Sequence, residues 1–231
     1  MAFTWNKKSI EWYLDASSYG DFQTRLAEKI APYIQKEDTV CDLGCGLGRL
    51  DLLLAPAASH ITCVDVDKTV LDILENDATQ QPNLSVRCCD VHDIRDKFDV
   101  VLMAFFGYPP QLMMECRKLA KKRMIRVVHT SSHVSLRPGA HSKKRETVQE
   151  ISDFLDRAGC TYEVIQDAFE FGQPLVSKDD ARDFVKGKYD TLSDHEIDRC
   201  LKAHLMETGR EDFPFYLPQK KDLGIFIIDA P

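Results

Sequence analysis

A chain of 231 residues with 44% hydrophobic and 29% charged side chains can bury one sizeable core and has an ordinary globular composition. Its formal net charge of −7 argues against loose, charge-driven binding to nucleic acid, and no run approaches the roughly 20 apolar residues of a membrane helix. The first residues, Met1 to Lys8, lack the apolar core of an export signal, and eight cysteines without one Cys-x-x-Cys read as free thiols in a reducing, cytoplasmic setting.

Residues 1–37 read as a helical extension carrying a cluster of aromatics: Phe3, Trp5, Trp12, Tyr13, Tyr19 and Phe22. The first strand, Thr39 to Leu43, is almost wholly apolar, as a strand covered on both faces should be. A helix follows to about Leu54 and is ended by Pro56. Ile61 to Val66 is a second strand, and Thr69 to Gln80 is helical, with Val70, Leu71 and Leu74 on one side. A weaker third strand, Leu84 to Cys89, stops at Asp90, and a strongly apolar fourth runs from Phe98 to Phe105. Pro110 stands where a first-turn proline belongs, ahead of a helix to about Lys121. Met124 to His129 is strand five, Glu146 to Arg157 an amphipathic helix ended by Gly159, and strand six opens at Tyr162 and extends as far as Phe171.

Strand and helix in alternation imply a parallel, doubly wound sheet within a single domain spanning 1–231. The rhythm breaks at Gln173. Residues 173–222 are polar and helical in places (179–188 and 193–207), with Phe184, Val185, Ile197, Leu201 and Leu205 at helical spacing. Only then does Leu223 to Asp229 supply a last strand, so the sheet core is 38–172 plus 223–231. An insertion of about fifty residues where a few would suffice is expected to be functional, either covering an acceptor site or building a homodimer.

Val40 to Leu50 is the most informative stretch. It runs from strand through Asp42 into a tight turn with Gly44, Gly46 and Gly48, then into Arg-Leu-Asp-Leu-Leu-Leu. Alternate glycines let a ligand approach bare backbone at a helix start. A dinucleotide fingerprint would need its third glycine at position 49, which is Arg49. The Asp-x-Gly-x-Gly-x-Gly spacing instead resembles the first motif of the class I S-adenosylmethionine-dependent methyltransferases.

That resemblance implies a seven-stranded α/β sheet in the order 3-2-1-4-5-7-6 with an antiparallel last strand. It also implies S-adenosyl-L-methionine as cofactor and S-adenosyl-L-homocysteine as product. Gly44 and Gly46 would pass beneath the methionine and ribose, and Asp42 and Val66 belong to the same cofactor edge. Asp65, 21 residues beyond Gly44, suits the ribose hydroxyls, although NAD enzymes use the same device. Asp67 reads as a helix cap. Asp90 would take the adenine amino group and Val91 a ring nitrogen, with Asp93 a competitor three residues later. Ala104 matches the backbone position facing the departing methyl.

Methyl transfer from a sulfonium chiefly needs an acceptor held in line and water excluded. No His/Asp/Glu cluster supplies a metal site, and the reaction requires none. His129, His133 and Tyr108 are candidates for a base or an acceptor contact, with ordinary loop or packing roles as the competing reading. The expectation is transfer to a small-molecule acceptor, without membrane or nucleic-acid partners. The alternatives are a non-catalytic cofactor-binding subunit and an NAD-dependent oxidoreductase, the latter opposed by Arg49, Asp90 and the terminal strand.

Overall fold

A computed structural model of the chain describes residues 5–106, 110–129, 147–189 and 191–231. Helix α1 (Lys7–Tyr19) opens on a reciprocal cap in which the Asn6 side chain accepts from the Ser9 amide and Ser9 accepts from the Asn6 amide. Helix α2 (Phe22–Ile30) follows. The alternating part comprises β1 (Thr39–Leu43), α3 (Arg49–Leu54), β2 (His60–Asp65), α4 (Lys68–Asp77), β3 (Leu84–Cys88) and β4 (Phe98–Ala104). It continues through α5 (Pro110–Arg117), β5 (Ala120–His129), α6 (Val148–Arg157) and β6 (Tyr162–Glu170). The tail holds β7 (Gln173–Leu175), α7 (Lys178–Lys188), α8 (Asp194–His204), β8 (Met206–Glu207), β9 (Phe215–Leu217) and β10 (Lys220–Asp229).

Seven strands form one sheet in the order β3-β2-β1-β4-β5-β10-β6, with β10 antiparallel to β5. With β10 counted as the seventh strand, this is the expected 3-2-1-4-5-7-6. Strands β1 and β4 are buried nearly end to end because they lie inside the sheet with both faces covered. Several elements differ in length from their sequence readings: β5 begins at Ala120 and not Met124, and β10 at Lys220 and not Leu223. Helix α5 stops at Arg117, not near Lys121, because Ala120 already pairs with Phe98 in the parallel β4–β5 ladder.

The insertion carries two helices, the second ending at His204 and not near Glu207 because Met206 and Glu207 pair with β9, and three short strands in a second antiparallel sheet, β7-β9-β8. The chain divides into two compact units: a sheet unit within residues 23–132, 144–167 and 222–231, and a smaller unit whose described residues lie within 1–22 and 168–221. The sheet unit's core gathers Leu43, Val101, Met103, Met124, Ile151 and Phe226. The smaller unit has its own core of Leu175, Ala181, Val185, Ile197 and Leu217, with Trp12 packed against it.

A buried carboxylate anchors that smaller unit. Asp180 is 8% exposed and accepts from Trp12 Nε1 at 3.1 Å and the Val176 amide at 3.2 Å, with Lys8 Nζ at 2.8 Å. The N-terminal aromatics meet the insertion throughout: Trp12 against Phe184, Tyr13 against Phe171, and Tyr19 stacked on Tyr216 at 5.0 Å. The Tyr216 hydroxyl donates to Glu170 Oε1 at 2.8 Å and accepts from the Gly172 amide at 3.1 Å. Burial, and then the Glu170 carboxylate, push this phenol well above its ordinary range. Among the described residues no helix is long and apolar enough to cross a membrane.

Candidate functional site

Strand order reverses at β1, which has β2 on one side and β4 on the other. Open sheets of this kind bind ligands at the carboxyl ends of the strands beside such a reversal. The turn after β1 is left-handed at Gly44, Gly46 and Gly48, with φ of 77°, 55° and 61°. The Gly44 and Cys45 amides both donate to the Val64 carbonyl, at 2.8 and 3.1 Å, which pins the turn to β2. A Cβ at Gly48 would fall 2.4 Å from Leu74 Cδ1 on α4, and one at Gly44 only 2.3 Å from Phe106 Cγ. What lies against the bare backbone of Gly44 is thus an aromatic ring from beyond β4.

Asp65 closes β2. Its Oδ2 accepts from the Gly46 amide and its Oδ1 from the Asp67 amide, each at 2.9 Å, so the carboxylate is held rigidly against the glycine turn. Each oxygen keeps lone-pair capacity for a further donor. Asp67 caps α4, accepting from the Thr69 amide at 2.9 Å, as its position in the sequence suggested. Val66 between them is 55% exposed, an apolar surface at the strand end. Asp90 is exposed after β3 and accepts from the His92 amide at 2.9 Å, and Val91 behind it is half-buried. Arg49, where a dinucleotide site would have glycine, is engaged by Asp77.

Ala104 ends β4 half-buried opposite Val127 of β5. The next residue, Phe105, has φ of 59°, a left-handed conformation that a bulky side chain adopts only under constraint. Its ring is 46% exposed and lies 5.3 Å from that of His129 at the end of β5. The backbone beyond is held from below: Arg126, 2% exposed, donates from Nη1 to the Phe106 carbonyl at 2.9 Å. Phe105 and Phe106 were not singled out by the sequence. Their signal, aromatic residues at the end of a buried strand beside the glycine turn, becomes readable once strand order is known. Tyr108 and His133 lie outside the described residues.

Asp42 is placed beneath the turn and not on its open side. It is 3% exposed, and its carboxyl lies near that of Asp51 on α3, itself 1% exposed. Burial, followed by the proximity of Asp51, drives Asp42 well above the usual carboxylate range. Burial likewise lifts Asp51, to about 7, against the lowering effect of neighbouring Asp42 and Cys63. Cys45 feels a hydrogen bond with Cys63 that pulls it down, but burial and then Asp51 and Asp42 prevail and push it up to about 11. These thiols are neutral packing groups, consistent with all eight cysteines being free.

Residues 40–129 match the family described as Methyltransferase domain. A ubiquinone biosynthesis O-methyltransferase of Coxiella burnetii is 29% identical over 102 residues, covering 38% of this chain and 44% of that protein. The chain thus spans less than half the length of this curated relative. The YcgJ protein of Bacillus subtilis shares the fold, with TM-score 0.61 and 14% identity over 90% of this chain and 97% of that one. Magnesium protoporphyrin IX methyltransferase of Synechocystis PCC 6803, solved with bound S-adenosylhomocysteine, does so with TM-score 0.53 and 14% identity over 98% and 89%.

A seven-stranded sheet with an antiparallel last strand and a glycine turn at its reversal defines a class I methyltransferase fold. Residues 40–129 carry the sequence match to a methyltransferase domain, on a sheet with the strand order of that fold.

Proposed function

We propose that this protein binds S-adenosyl-L-methionine at the carboxyl ends of β1 to β4 and transfers its methyl group to a small-molecule acceptor. The observation that carries the reading is the meeting of the glycine turn, the rigidly held Asp65 carboxylate and exposed Val66 beside the β1/β4 reversal. These residues fit the cofactor chemically. Asp65 has lone pairs left for ribose hydroxyls, Val66 offers an apolar face for a purine, and the exposed Asp90 is suited to accept from its amino group. Gly44, Gly46, Val91 and Ala104 would contribute backbone, and Asp42 would act through the turn above it.

When bound, the cofactor supplies a methyl already activated by its sulfonium. The chain's own task is to orient and to exclude water. Phe106 against Gly44 and the half-exposed Phe105 wall that edge with apolar surface, and Arg126 fixes their backbone. His129, in ring contact with Phe105, is the described residue placed to accept a proton from an acceptor hydroxyl or to orient it. The small-molecule acceptor is supported by the printed names of the Coxiella and Synechocystis proteins.

Calorimetry with S-adenosylmethionine, S-adenosylhomocysteine and NAD tests the reading. Binding of the first two without NAD is expected, and NAD binding alone would overturn it. The engagement of Arg49 by Asp77 already leaves a dinucleotide phosphate without that guanidinium. An acceptor screen with labelled methyl then separates an enzyme from a cofactor-binding subunit of a larger assembly.

A further inference from the structure

Asp51 stands among leucines in the helix Arg-Leu-Asp-Leu-Leu-Leu and is 1% exposed. Its Oδ1 and Oδ2 and Asp42 Oδ1 are all buried without a hydrogen-bond partner. Among the described residues, the groups that shift the pair bring no positive charge. Asp65 on β2 adds its own negative charge to Asp42, and the Cys41, Cys45 and Cys63 thiols around them are neutral. Two ionised carboxylates in contact away from water would repel strongly, whereas one shared proton converts the repulsion into a short hydrogen bond.

The placement of the two acids gives that bond a structural task. Asp42 lies on β1, two residues before Gly44, and Asp51 lies in the first turn of α3, three residues after Gly48. The pair therefore joins the arm entering the glycine turn to the arm leaving it. We propose that Asp51 is a positioning residue for the cofactor turn: it and Asp42 hold one proton between their carboxyls, and this buried clasp keeps residues 43–48 in the form that receives the cofactor. The positioning role rests on the reading of this turn as the cofactor site; the shared proton does not.

Loss of the shared proton opens the clasp, so cofactor affinity falls with rising pH. Stability follows the same sign. A carboxyl whose folded pKa is raised binds more protons in the folded state than in the unfolded one. Its contribution is therefore complete at acid pH and declines as pH climbs from the usual carboxylate range through about 7. In Asp51→Asn the amide donates to an ionised Asp42 and no proton is needed.

The test titrates the ligand-free protein by carboxyl carbon NMR, then measures S-adenosylhomocysteine affinity and Tm from pH 6 to 9. The wild type is expected to show Asp42 and Asp51 titrating as one coupled pair, with a step near neutrality that Asp51→Asn abolishes. Wild-type affinity should fall about tenfold across that range. Asp51→Asn should bind with little pH dependence and a flatter Tm profile, and Asp51→Leu should bind about tenfold more weakly even at pH 6. Titration of both acids in the ordinary carboxylate range, or an unchanged step in Asp51→Asn, overturns the shared proton. Wild-type affinity and pH profile in both variants overturn the positioning role. A coupled titration in a wild type that binds no S-adenosylhomocysteine at any pH leaves the shared proton standing and defeats the cofactor reading instead.

Discussion

The two units are built on opposite principles. In the sheet unit, most of the candidate site is assembled from one contiguous stretch, Asp42 to Phe106, whose strand ends follow one another through α3, α4 and a short turn at Val91–Asp93. The smaller unit is closed by contacts between distant segments: the Trp12–Asp180 hydrogen bond spans 168 residues and the Gly172–Tyr216 bond 44. A ligand edge built from successive turns can be written locally, one turn at a time. A unit closed by segments far apart in the chain exists only when both segments are in place, and its sequence carries few local instructions for it.

The sharpest way to break this contrast is to remove most of the smaller unit. Replacing residues 173–222 with a short Gly-Ser linker is expected to abolish methyl transfer and to leave S-adenosylhomocysteine affinity within a few-fold. Full turnover in the truncated protein would reduce the insertion to a structural appendage, and a change from dimer to monomer would assign it to assembly. Within the sheet unit, Asp65→Ala should weaken S-adenosylhomocysteine binding by about 1.5–3 kcal/mol, the scale of hydrogen bonds to a charged group. Asp67→Ala should alter stability by about 1 kcal/mol through the lost cap and binding far less. Calorimetry and thermal melts on the two proteins decide it, and equal effects on affinity would remove Asp65 from the ribose. A change confined to stability is expected of Tyr216→Phe. It loses the hydroxyl bonds to Glu170 and Gly172 and should lower stability by about 1–2 kcal/mol in denaturant titration, with cofactor affinity unchanged.

The legibility of the two units differs for the same reason. Strands β1 and β4 announce themselves as short apolar runs because both their faces are covered, and the glycine turn announces the first strand end because only glycine suits its left-handed backbone. From those, the places of Asp65, Asp67 and Asp90 at strand ends follow, whereas strand order came only with the family that the turn resembles. Strands β7, β8 and β9 stay hidden because two or three residues show no period and their pairing is fixed by partners far away in sequence. The end of α5 was misjudged because Lys118 to Lys121 suits helix or strand alone, and the ladder with β4 decides. Asp51 was passed over as one polar residue in an apolar helix. Periodicity tells that a position faces inward, but not that another acid waits there.

The left-handed Phe105 sets heat resistance against surface chemistry. The conformation costs a non-glycine residue about 1–2 kcal/mol, which glycine at the same place would not incur. Drift towards greater thermal stability therefore runs through this position towards the smallest residue. A lineage that followed it would strip the half-exposed ring from beside His129 and change what can dock there long before the sheet itself was altered.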